Sequence, residues 1–195
     1  MRELILFMHM SLDGFVAASD KTTPFGTGDD GVFETVVPKL MNEADTLLLG
    51  RIVADELLGY WLTAETNDPD LSNGARAHAR WVTGARKVIV SRAEEQLPWT
   101  NSELAVVRTD SDLLRAVSEL KQRAGKNIVV YGGVRTAQNL ARLDLIDEYQ
   151  LVVHPVAFGE GGALFEKLRG RLELKRVDAV ELKAGAVFLR HRPVR

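Results

Sequence analysis

The sequence predicts an α/β domain built on a largely parallel sheet. Short apolar runs alternate with helix-like patterns along 195 residues, and most runs close on a glycine or a polar residue. A balance of 46% hydrophobic and 27% charged residues supplies a real core. No repeat, low-complexity tract or Gly/Ser linker breaks the alternation, so residues 1–195 read as one domain.

The first strand spans Leu4–Met10 and leaves through "MSLDGFVA", where Asp13–Gly14 is a strong turn signal. In "GDDGVFETVVPKLM", Val32, Phe33, Val36, Val37 and Leu40 recur at helical spacing and predict a helix over Val32–Glu43, with Asp29 and Asp30 as capping residues. A strand over Thr46–Leu49 ends in Gly50–Arg51, and helices follow over Val53–Leu58 and Gly74–Val82. The segment Leu57–Asn73 has no pattern of its own and reads as a cover or a wall. Strands are expected at Lys87–Ser91 and Ala105–Val107.

The clearest helix lies in "DSDLLRAVSELKQRAGKN", over Asp112–Ala124. Leu113, Leu114, Val117 and Leu120 share a face, Asp110 or Ser111 caps the start, and Gly125 closes the end. A strand over Ile128–Tyr131 stops at Gly132–Gly133, and a helix over Thr136–Arg142 begins at once. Strand Tyr149–His154 follows. Leu172–Val180 and Ala186–Arg190 make an antiparallel pair around "KAGA".

Composition narrows the function. Net charge is −2, from 25 Lys+Arg against 27 Asp+Glu, so no basic face points to nucleic acid or an anionic membrane. The basic tail "RHRPVR" reads as a solvated end. The chain has no cysteine, which removes disulfides, thiolate nucleophiles and cysteine-based zinc sites. The apolar core of "MRELILFMHM" is too short for a signal peptide, and nothing approaches a membrane span, so a cytoplasmic protein is expected. His9, His78, His154 and His191 share no ligand spacing, so no metal is expected. The common hydrolase and NTPase signatures are missing.

Open parallel sheets keep their ligands in the loops that follow strands. Four such loops carry chemistry here: "SLDG", Gly50–Arg51, Ser91–Arg92 and Gly132–Gly133. The glycine pair leaves backbone open to a close ligand, and amides at a helix start attract anions; a turn needing positive φ explains it equally well. Arg135 and Thr136 add donors at that first turn. Arg51 places a five-donor fork at a helix head, suited to a phosphate, although a single arginine is often just solvated. Ser91 and Arg92 repeat the design, as a ribose or phosphate neighbour or as a plain polar strand end. Glu34, near a helix start, reads either as a proton-handling carboxylate facing a cleft or as a residue satisfying the helix dipole. "FGEGGALF" reads as a turning loop near the site.

With these residues in place, the chain resembles the dihydrofolate reductase-like superfamily, in the branch related to the reductase domain of bifunctional riboflavin-biosynthesis proteins. "MSLDGFVA", "DTLLLGR", "KVIVSR" and "NIVVYGGVRTAQNLARLDLIDEYQLVVHPVAFGEGGALF" carry the resemblance, from about Leu4 to Phe188. It implies a three-layer αβα fold with a mixed, mostly parallel sheet and NADPH bound along the sheet's carboxyl edge. Gly50 and Arg51 would meet the adenosine-side phosphate, with Ser91 and Arg92 beside the adenine ribose. Gly132, Gly133, Val134, Arg135 and Thr136 would cradle the pyrophosphate, and Ser11, Asp13 and Gly14 would lie by the nicotinamide. The resemblance further implies a homodimer and hydride transfer to a C=N or C=O of a small pterin- or pyrimidine-like heterocycle.

Glu34 falls where folate reductases keep their active-site acid, although ribosylaminopyrimidine reductases do not rely on it. The stretch from Arg51 to Lys87 holds no evident equivalent of the folate-gripping arginine. Trp61 and Phe33 wall the substrate side or belong to the core. A genuine dihydrofolate reductase and a non-catalytic NADP(H)-binding protein are the alternatives. Zinc deaminase chemistry, carried by the bifunctional relatives, needs cysteine ligands that this chain lacks.

Overall fold

The computed structural model describes residues 1–20, 22, 25 and 31–195. Asp29 and Asp30, expected as caps, lie outside the described residues. The strands are β1 (Leu4–Ser11), β2 (Phe15–Ala17), β3 (Ala44–Gly50), β4 (Arg86–Ser91), β5 (Ser102–Val106), β6 (Asn127–Tyr131), β7 (Glu148–His154), β8 (Gly162–Ala163), β9 (Leu174–Glu181) and β10 (Val187–Pro193). The helices are α1 (Val32–Thr35), α2 (Val37–Glu43), α3 (Arg51–Trp61), α4 (Ala64–Asn67), α5 (Asn73–Gly84), α6 (Asp110–Gln122) and α7 (Val134–Arg142).

Eight strands form one sheet in the order β5-β4-β3-β6-β1-β7-β10-β9, and only β10 runs against its neighbours. Alternation along each strand sends side chains to two faces. Ile5, Phe7, Leu47, Leu49, Val129, Tyr131 and Val152 face one core with Val32, Val37 and Leu40 and with Leu58 of α3. Leu4, Leu6, Met8, Leu48, Ile128 and Val130 face the other with Leu113, Val117 and Leu120 of α6 and Leu140 of α7. Helices on both faces of a mostly parallel sheet give the three-layer αβα arrangement of the dihydrofolate reductase-like fold, with β9–β10 as the C-terminal hairpin.

Several boundaries differ from the sequence reading, each for a local reason. The expected helix Val32–Glu43 is broken at Val36, because Pro38 in the first turn of α2 has no N–H to continue the ladder from α1. The start of α6 is capped by Thr109 in a reciprocal capping box with Asp112, rather than by Asp110 or Ser111. Leu114 is 42% exposed, leaving Leu113, Val117 and Leu120 as the buried stripe. Ser72 caps α5 through the Ala75 amide, so the segment before it ends as a helix start.

One small sheet is absent from the sequence reading altogether. β2 pairs antiparallel with β8, and Gly161 (φ +138°) runs so close under Ala17 O that no Cβ fits. The "GEGGA" turn is thereby pinned against the segment that follows β1. Among the described residues no helix is long and apolar enough to cross a membrane.

Candidate active site

Four of the strands that end in chemistry-bearing loops, β4, β3, β6 and β1, are consecutive neighbours and parallel. Their carboxyl ends therefore lie in a row along one edge. This brings together the serine, arginine, glycine-pair and "SLDG" segments that lie scattered from residue 11 to residue 136.

At the centre, the starts of α3 and α7 touch. Gly132 (φ +69°) and Gly133 (φ +89°) take left-handed backbone, and a Cβ on either would meet Val53 of α3 at 3.1 or 3.2 Å. A Cβ on Gly50 would sit 2.5 Å from Thr136 Oγ1. The glycines are thus required twice, by the turn and by the approach of two helix heads. The same corner leaves the first-turn amides of α7 without carbonyl partners inside the helix. Val134 packs against Gly162, where a Cβ would lie 2.9 Å from its Cγ1, and Gln138 Nε2 donates to Ala163 O at 2.7 Å. The glycine-rich loop after β7 therefore closes over the head of α7. Arg135 is exposed at this turn.

On one side of this centre, Arg51 begins α3 with its guanidinium already engaged. Its Nε donates to Glu95 Oε2 at 2.6 Å, its Nη1 pairs with Asp55, and it lies 5.2 Å over the Trp99 ring. Ser91 Oγ donates to the other Glu95 oxygen at 2.9 Å. The hydrogen bonds that Arg51 donates to Asp55 and then to Glu95 raise its pKa, and the bond from Arg51 lowers that of Glu95. One carboxylate thus bridges two donors from adjacent strand ends, an anion in the position where donors converge. Arg92 is exposed beside them, and its carbonyl accepts from Arg108 Nε at 3.3 Å.

On the other side, Asp13 organises the turn after β1. It accepts from Ser11 Oγ at 2.6 Å and from the amides of Phe158 and Gly159 at 3.1 and 2.8 Å, and these bonds, Ser11 first, hold its carboxyl below the usual range. Ser11 Oγ also accepts from the Phe15 amide at 2.9 Å, and the Gly14 amide donates to Ser11 O at 3.0 Å. This turn and the loop after β7 are therefore one bonded unit.

Aromatic and imidazole rings fill the sheet face beneath α1, α3 and α5. Tyr131 OH and His78 Nε2 are 2.8 Å apart, Trp61 meets His78 edge-on at 4.4 Å, and Phe33 lies 5.5 Å from both Trp61 and His78. Burial without an opposing charge lowers the His78 pKa to about 3 and raises that of Tyr131. Phe33 and Trp61 are half-buried, on the margin of this cluster. Glu34 is exposed on α1 and accepts from Ser72 Oγ at 3.2 Å. It joins the cap of α5, and no other described contact draws its carboxylate toward the ring cluster.

Sequence reasoning missed His9, His78, Glu95, Tyr131 and His154. Histidines 145 residues apart leave no spacing to read, yet His9 Nδ1 and His154 Nε2 lie 2.8 Å apart. The one available signal was positional, since Tyr131 directly precedes the glycine pair and His154 ends a strand. Among the described residues no group of three or more His, Cys, Asp or Glu is placed to hold a metal.

The row of polar loops lies at the carboxyl edge, where open α/β sheets hold their ligands, and the fold is of the dihydrofolate reductase-like class. Residues 2–188 match the RibD C-terminal domain, and the chain belongs to that family. It is 29% identical over 186 residues to the uncharacterized protein YyaP of Bacillus subtilis (strain 168), spanning 95% of this chain and 92% of that one. In fold it resembles a diaminohydroxyphosphoribosylaminopyrimidine deaminase/5-amino-6-(5-phosphoribosylamino)uracil reductase of Thermotoga maritima (TM-score 0.64, 17% identity), covering 99% of this chain and 57% of that one. It also resembles the dihydrofolate reductase of Enterococcus faecalis in complex with NADP(H) (TM-score 0.62, 11% identity), covering 99% and 97%.

Proposed function

We propose that this chain is an NADPH-dependent reductase that adds hydride to a C=N or C=O of a small pterin- or pyrimidine-like heterocycle. The observation that carries the reading is the convergence on one edge of a positive-φ glycine pair at the start of α7, Arg51 at the start of α3 and Ser91 at the end of β4. The residues present fit a dinucleotide. Gly132, Gly133 and the amides of Val134, Arg135 and Thr136 offer N–H groups where a pyrophosphate needs them. Gly50, Arg51, Ser91 and Arg92 offer a guanidinium, a hydroxyl and a second cation to a phosphate on the ribose. Ser11, Asp13 and Gly14 form a turn stiffened by the loop after β7, suited to flank the nicotinamide. Membership in the RibD C-terminal domain family supports the reductase class.

A bound reduced nicotinamide supplies the hydride. The chain's own work is to position the ring, exclude water and handle a proton. In this reading Glu34 hydrogen-bonds the substrate or delivers a proton to it only if its carboxylate leaves Ser72. The test is loss of NADPH absorbance over a panel of pyrimidine, pterin and aldehyde acceptors. Turnover of any acceptor, faster with NADPH than with NADH, is expected. Stoichiometric NADPH binding with no oxidation across the panel would favour a non-catalytic binding protein instead.

A further inference from the structure

Gln138 has no part in the reading above, yet among the buried side chains of α7, with Ala137, Leu140 and Ala141, it alone is polar. It is 3% exposed, and its Nε2 donates to Ala163 O at 2.7 Å and to Glu166 Oε2 at 3.2 Å. A carbonyl oxygen only accepts, so the NH2 end of the amide has to face it. Burial of the amide is tolerated because it is bonded; a leucine would suit the apolar stripe and leave Ala163 O without this donor.

Val134 lies one turn earlier on the same face of α7. It packs on Gly162, where a Cβ would meet its Cγ1 at 2.9 Å. Consecutive residues of β8 are therefore seated on consecutive turns of the helix that starts at the glycine pair.

The peptide group between Ala163 and Leu164 is held from both sides. Its C=O accepts from Gln138, and its N–H donates to Gly14 O at 3.1 Å. A planar trans peptide points those two groups in opposite directions, so this one spans from α7 to the turn after β1. Ala163 also pairs with Phe15 of β2. The Phe15 amide donates to Ser11 Oγ at 2.9 Å, and Ser11 Oγ donates to Asp13 at 2.6 Å. Residue by residue, the bonds lead from Gln138 to Ser11, Asp13 and Gly14.

We propose that Gln138 is a positioning residue: through the Ala163–Leu164 peptide it sets the distance between the pyrophosphate cradle at the head of α7 and the turn that flanks the nicotinamide. This rests on the reductase reading and deepens it, by naming the group that registers one half of the cofactor against the other. Gln138 acts through the backbone it holds and touches neither cofactor nor substrate. Hydride transfer needs the reacting atoms within about 3–3.5 Å. A dinucleotide joins its two halves by rotatable bonds, so the ring is fixed only if the surfaces that grip each half are fixed to each other.

The probe is 2′-phospho-ADP-ribose, which carries the phosphates of NADPH and lacks the nicotinamide. Gln138→Leu is expected to bind it within about threefold of wild type, while the extra affinity that the nicotinamide confers on NADPH falls about tenfold. The nicotinamide emission of bound NADPH, raised in wild type, is expected to fall back to that of free NADPH in the variant. Leu140→Ala, which removes buried volume from the same helix, is expected to lower the urea midpoint and keep both nicotinamide signals. Wild type decides the question if Gln138→Leu folds poorly: 2′-phospho-ADP-ribose is expected to slow hydrogen exchange at the Leu164 and Phe15 amides by about threefold or more. A Gln138→Leu protein that keeps both nicotinamide signals, or wild-type amides that exchange at an unchanged rate, would overturn the proposal. If wild type binds NADPH and 2′-phospho-ADP-ribose in those experiments, only this inference fails; if it binds neither, the reductase reading fails with it.

Discussion

The two ends of the carboxyl edge are built from opposite materials. At the β3 and β4 end the groups are charged and partly exposed: Arg51, Asp55, Glu95 and Ser91 hold one another, and nothing about them requires burial. At the β1 and β7 end, and on the sheet face beside it, the polar atoms belong to rings packed among other rings: His9 on His154, and Tyr131 on His78. The first end suits a solvated anion that exchanges partners, because exposed ion pairs cost little to break. The second suits a planar ring that must be desolvated, where each hydrogen bond counts for more. Between them, the glycine corner makes no polar side-chain contact of its own and sets the spacing of both.

The largest effect is expected at that corner. Gly133→Val forces a β-branched residue to φ +89° against Val53, and about 2–4 kcal/mol of stability should be lost, read by urea unfolding. Gly59→Ala, in α3 with nothing within 4 Å of its Cβ, should instead be neutral or slightly stabilising. Equal losses in the two variants would break the claim that the corner is special.

Next comes the ring end. Tyr131→Phe removes the only described partner of His78 Nε2, at a cost of about 1–3 kcal/mol. Because the His78 pKa is lowered from 6.5 to about 3, the unfolded chain binds a proton that the folded chain refuses in that window. Stability is therefore complete above about pH 6.5 and falls as pH drops toward 3, with a slope from this residue of at most about 1.4 kcal/mol per unit. Urea midpoints from pH 7 to pH 4 measure it. A flat profile would mean that His78 is not buried in its neutral form.

The glycine corner and the arginine-bearing strand ends were legible in the sequence because their signals are local. Gly132–Gly133 lies between an apolar run and a helical pattern, and Gly50–Arg51 repeats that grammar. Leu114 was misplaced because helical spacing fixes a stripe only to within one residue, and Pro38 was passed over inside an otherwise regular pattern. The ring end was illegible for a different reason: His9 meets His154 across 145 residues, and His78 meets Tyr131 across 53. Only the sheet order, with β1 between β6 and β7, brings those rings to one face. Glu95 was missed likewise, since no pattern in a loop announces which carboxylate will turn back onto an arginine.

A smaller effect sharpens the comparison at the charged end. Glu95→Gln removes the carboxylate that occupies Arg51 and Ser91, and NADPH should bind about threefold to tenfold more tightly with NADH unchanged. Weaker NADPH binding in this variant would show that Glu95 assists the nucleotide rather than competing with it.

The central claim is that this edge holds a phosphorylated dinucleotide, and fluorescence titration with NADPH and NADH on wild type and Arg51→Ala tests it most directly. The account predicts micromolar NADPH binding, weaker NADH binding, and loss of that preference in the variant. Trp99, beneath the Arg51 guanidinium, gives the signal. Binding of neither nucleotide would contradict the account and leave the glycine pair as a tight corner between two helices.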